Sequence, residues 1–87
     1  MSHPQYAIEY LGAVEAKKNQ PVNTADIITL YPAATVMKIK SRGVKVSVNN
    51  TPMFEISLDD ESYITSGHTY IFSEDCVAAI GTYKAVT

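Results

Sequence analysis

Cysteine is almost missing from these 87 residues: Cys76 stands alone, so no disulfide can close within the chain. That matters at this length. A domain of this size buries only about 60–65% of the surface its unfolded chain exposes, and small scaffolds commonly add disulfides, a metal or a partner subunit. The first of these is excluded. Cys76 sits in the apolar run CVAAI, where it reads as a small buried hydrophobe. Glu74 and Asp75 beside it oppose the thiolate that reactivity requires. A single cysteine also suits a reducing compartment, or a particle assembled inside one.

Long apolar runs are missing too. Nothing approaches the ~20 residues of a membrane helix, and MSHPQYAIEY has neither the basic leader nor the apolar centre of a signal peptide. The net charge of −2 gives no overall attraction to nucleic acid or anionic membrane. The expectation is a soluble chain made in the cytoplasm.

Chemistry-bearing residues are as sparse. The two histidines, His3 and His68, lie far apart from each other and His68 begins a strand after a Ser-Gly turn, so it reads as a solvated or packing side chain. Two histidines and one cysteine match no zinc spacing. The four glycines are scattered, and no phosphate-cradling, hydrolase or metalloprotease motif occurs. Asp59-Asp60-Glu61 places three acids consecutively, whereas calcium loops alternate their ligands so that they converge. Asn49-Asn50-Thr51 matches a glycosylation sequon in form but reads as turn chemistry. Neither an enzyme nor a cofactor is expected.

What the sequence does have is alternation. TVMKIKS sets Met37 and Ile39 against Lys38 and Lys40, VKVSV sets Val44, Val46 and Val48 against Lys45 and Ser47, and MFEISL sets Phe54, Ile56 and Leu58 against Glu55 and Ser57. Such period-two patterns mark half-buried strands. Turns punctuate them about every ten residues: Ser41-Arg42-Gly43, Asn49-Asn50-Thr51-Pro52, Asp59-Asp60-Glu61-Ser62, Ser66-Gly67 and SEDC. That rhythm predicts an all-β fold, a small antiparallel sandwich or jelly-roll-like barrel. Residues 1–33 differ in texture from the β core at 34–87. YAIEYLGAV fits a strand or extended arm better than a helix, because Gly12 costs a helix ~1 kcal/mol. KKNQPVNTAD reads as a loop around Pro21.

Lys38, Lys40, Arg42 and Lys45 put four of the seven cations within eight residues. Lys38, Lys40 and Arg42 share strand parity and are the candidate partner-binding residues. Such a row can meet phosphates or an acidic partner, and it also discourages edge-to-edge pairing. Tyr70 and Phe72, with Tyr63, are the aromatics that a nucleic-acid-binding barrel would use for stacking. The chain has no RNP-type run, so nucleic acid is the lesser expectation.

The segment from Val36 to Gly81 resembles small all-β structural proteins of tailed-bacteriophage virions. It pairs a VxVSVN-like strand (Val44, Val46, Val48) with an xFxLxxxxSY-like strand (Phe54, Ile56, Leu58, Tyr63) and closes with a YxFxxxxxxAIG-like hairpin (Tyr70, Phe72, Ala79, Ile80, Gly81). The resemblance covers about half the chain and does not reach residues 1–33. It implies a non-enzymatic decoration (cement) protein located in the virion, bound to the major capsid protein or another virion protein. It also implies a homo-oligomer, with a trimer favoured. A head–tail connector or a tail component is the alternative within the same resemblance. The expected contacts are residues 3–25, as a draping arm, and the cations Lys38, Lys40 and Arg42.

Overall fold

Strands whose side chains alternate between apolar and polar bury one side only, so two such sheets close on each other. The computed structural model describes residues 5–86. Along these run β1 (Tyr6–Ala16), β2 (Pro21–Asn23), α1 (Thr24–Leu30), β3 (Val36–Ile39), β4 (Lys45–Val48), β5 (Phe54–Glu55), β6 (Glu61–Tyr63), β7 (Thr69–Phe72) and β8 (Cys76–Ala85). The first sheet has the order β1-β8-β3-β6 and the second β2-β7-β4-β5. Every pairing is antiparallel. The fold is a small all-β sandwich.

The core lies between the sheets. Met37, Ile39, Ala78 and Ile80 come from the first sheet, and Val46, Tyr70 and Phe72 from the second. Burying each large apolar side chain contributes about 1.5–3 kcal/mol. Cys76 is buried among them, and burial pushes its thiol above the ordinary range.

Turn chemistry fixes the hairpins. Gly43 and Gly67 adopt φ of 74° and 81°, and Asn49 and Asn50 adopt 51° and 65°, the left-handed region that these residues tolerate best. The third turn falls slightly earlier than its acids suggest. Leu58 and Asp59 turn, Asp59 with φ 64°, and β6 already begins at Glu61.

Three features depart from the sequence reading. Ser47 is buried, because β4 lies between β5 and β7 and the Ser47 hydroxyl donates to the Thr51 carbonyl at 2.7 Å. Phe54 pairs with Val46, yet is 54% exposed because β5 is a two-residue edge strand. Part of the expected loop region is helical. The seven-residue α1 buries Ile27 and Thr24, and the Thr24 hydroxyl donates to the Thr65 carbonyl at 2.9 Å. Pro32 follows soon after its end, as expected where a helix must stop.

The N-terminal segment is built into both sheets, β1 into the first and β2 into the second. Residues 6–16 and 21–23 are thus strands of the sandwich and not a draping arm, although one stretch projects beyond it. β3 pairs with β8 only from Ala78 to Gly81, whereas β1 follows β8 to Ala85. The first residues of β1 and the last of β8 therefore form a two-stranded ribbon that extends past β3.

Candidate interaction surface

Directly paired residues in antiparallel strands project from the same face. Met37 and Ile39 enter the core, so Val36 and Lys38 belong to the outer face of the first sheet. Register carries that face across the strands: Val36 opposes Tyr63 and Gly81, Lys38 opposes Glu61 and Ala79, and on the ribbon Tyr6, Ile8 and Tyr10 oppose Ala85, Tyr83 and Gly81. Four of the six tyrosines thus share one surface. Tyr6 is 63% exposed, Tyr10 51% and Tyr63 70%.

The tyrosines are organised by polar contacts at their rims. Tyr83 donates its hydroxyl to Glu61 Oε2 at 2.7 Å, and its ring lies 6.0 Å from that of Tyr63. The bond to Glu61 holds the Tyr83 phenol protonated well above its ordinary range, with desolvation and the neighbouring Tyr63 adding to it. Tyr6, Glu61, Tyr63 and Tyr83 line a shallow hollow. At the other end, Lys40 Nζ stands 5.9 Å over the Tyr10 ring, a favourable place for a cation.

The candidate cations fare unequally. Lys38 and Lys40 reach the outer face as parity requires. Arg42 does not continue the row, because β3 ends at Ile39 and Arg42 lies in the turn with Gly43. Lys40 is paired: its Nζ donates to Asp59 Oδ1 at 2.5 Å. That hydrogen bond raises the Lys40 pKa and lowers that of Asp59. Both groups are exposed, so the pair fixes geometry more than stability. Lys38 faces Glu61 across the ladder. The basic row is therefore matched by acids of the 59–61 turn.

Two aromatics proposed for base stacking are not on any surface. Tyr70 is 4% exposed and Phe72 is fully buried, because their strand, β7, lies inside the second sheet and both side chains enter the core. Tyr63, the third, is exposed. His68 is half-buried, with its ring edge-on to Tyr70 at 6.0 Å. His3 lies outside the described residues. Among the described residues no three potential metal ligands cluster, and no helix is long and apolar enough to cross a membrane.

No protein-family model, curated protein or solved structure matches this chain. The fold and the surface define its class from its own residues: a small antiparallel sandwich with a tyrosine-rich outer face on one sheet. Tyr6, Tyr10 and Tyr83 were missed by sequence reasoning because the face is assembled from β1, β6 and β8, distant in sequence. Their one local signal was the shared parity of Tyr6, Ile8 and Tyr10.

Proposed function

We propose that the protein is a non-enzymatic structural component of a tailed-bacteriophage virion, a decoration protein that docks on the capsid lattice and stabilises it. One observation carries this reading beyond the resemblance over Val36–Gly81: the exposed outer face bearing Tyr6, Tyr10 and Tyr63. Tyrosine is enriched at protein interfaces because it supplies large contact area with a polar tip. The lysines beside it already have acidic neighbours, so the tyrosines supply the contact area and Lys38 and Lys40 tune its register. A protein that binds only the assembled lattice stabilises that lattice by mass action.

Quantitative mass spectrometry of purified particles of the phage encoding this sequence tests the reading. A decoration protein is present in copy numbers comparable to the major capsid protein. A few copies per particle would support the connector or tail alternative, and absence from the particle would overturn the virion reading altogether.

Lys40 above the Tyr10 ring, beside exposed Tyr6 and Tyr63 on the same sheet, favours single-stranded nucleic acid as a second reading. Its signature is binding that weakens steeply with salt. Asp59 and Glu61 on the same face count against it.

A further inference from the structure

The ribbon presents a row of backbone groups with defined parity. The Gln5 carbonyl accepts from the Val86 N–H at 2.9 Å. In an antiparallel ladder, such exchanging pairs alternate with pairs whose groups point away from each other. The register therefore turns the backbone groups of Ala7 and Glu9 toward β8, and those of Tyr6, Ile8 and Tyr10 toward the open edge. The same parity aims the Gly81 carbonyl away from β1, and there it accepts from the Thr35 N–H at 2.9 Å. β1 is an edge strand of its sheet, and among the described residues nothing pairs on its far side.

The usual protections of an edge are few here. Edge strands are commonly blunted by lysine, proline or bulges. A bulge does occur at Leu11, where the register shifts between Tyr10 and Gly12, and it ends the regular edge there by bending the strand. Between Tyr6 and Tyr10 the only charge is Glu9, which lies 3.8 Å from Lys84 of its own chain.

We propose that the Tyr6–Tyr10 edge pairs with the same edge of a second copy, antiparallel about a two-fold axis at Ile8. The parity of the segment selects this occupant. With the axis at Ile8, Tyr6 stands opposite Tyr10 of the second copy and Ile8 opposite its equivalent. Every outward backbone group then has a partner, giving about six hydrogen bonds. Glu9 lands opposite Ala7 of the second copy, so no like charges face each other. The two tyrosine faces become one continuous surface. The contact is isologous and closes at two copies, in place of the trimer that the phage resemblance implies. It does not depend on where the protein works.

The test is sedimentation velocity of the full chain over a range of concentrations, with amide exchange followed by NMR in the same samples. The expected result is a monomer–dimer equilibrium. The Tyr6, Ile8 and Tyr10 amides gain protection as concentration rises, while those of Ala7 and Glu9 are protected throughout. Ala7→Glu should weaken the dimer roughly tenfold, since the new carboxylate meets Glu9 of the second copy. Within one chain it sits opposite Lys84, so the fold is kept. Ile8→Pro removes an outward N–H and no ladder bond of its own chain, and should also yield monomer. A chain that stays monomeric at every concentration would overturn the proposal. So would a closed trimer, or a dimer indifferent to Ala7→Glu.

Discussion

The Ile8 side chain lies across Gly81: a Cβ at Gly81 would come within 2.5 Å of Ile8 Cγ2 and 3.0 Å of the Glu9 carbonyl oxygen. This close approach seals the root of the ribbon, where β1 crosses from the sandwich to the two-stranded extension. It also places Ile8 on the outer face, between the exposed tyrosines.

Gly81→Ala should therefore destabilise the protein by about 1–3 kcal/mol through overpacking, read as a lower denaturant midpoint. Ile8→Ala in the same background should recover part of that loss, because the two positions couple by direct contact. Additive losses would show that Ile8 does not fill the Gly81 site.

Aromatic residues of the core and of the outer face should respond differently. Phe72→Ala empties a fully buried site and should cost about 3–5 kcal/mol. Tyr63→Ala, at 70% exposure, should stay within about 0.5 kcal/mol while weakening any partner contact. Thermal and denaturant unfolding separate the two.

Tyr70 carries a buried hydroxyl with no hydrogen-bond partner among the described residues. Leaving such a group unsatisfied costs about 1–3 kcal/mol, so Tyr70→Phe should leave stability unchanged or raise it. A loss of more than about 1 kcal/mol would mean that the hydroxyl is satisfied in solution.

The Lys40–Asp59 pair sets a pH window. The lysine holds the Asp59 carboxyl below its ordinary 3.8, so that contribution is present above 3.8 and is lost as pH falls through the lowered value. Asp59 raises Lys40 above its ordinary 10.5, so that contribution is present below 10.5 and is lost as pH rises through the raised value. NMR titration of the Asp59 carboxyl should show the depressed midpoint, and Lys40→Met should return it towards 3.8.

Much of the sandwich was legible because its signals are local. Met37 and Ile39, and Val44 and Val46, alternate into the core as the pattern required, and Gly43, Asn49, Asn50 and Gly67 supply the positive φ of the turns. What was hidden is long-range. Nothing near Tyr6 announces that its ladder partner is Ala85, and Val36 is buried on the outer face where parity alone suggested a wet position. The helix α1 escaped notice because seven residues with adjacent isoleucines show no helical period. Lys38 and Lys40 were placed correctly by parity, whereas Arg42 followed the turn that ends the strand. Tyr70 and Phe72 could not be told from surface aromatics, since side-chain alternation does not say which side is wet.

The docking surface proposed above is the outer face of the first sheet. Hydroxyl-radical footprinting, comparing free protein with protein on purified particles, tests it most directly. Tyr10 and Tyr63 should lose reactivity on the particle, while Phe54 and Met53, exposed at the second sheet's edge and the turn before it, keep theirs. Undiminished oxidation of Tyr10 and Tyr63, with protection appearing at Met53 and Phe54 instead, would move the docking surface to the edge of the second sheet and overturn the proposal.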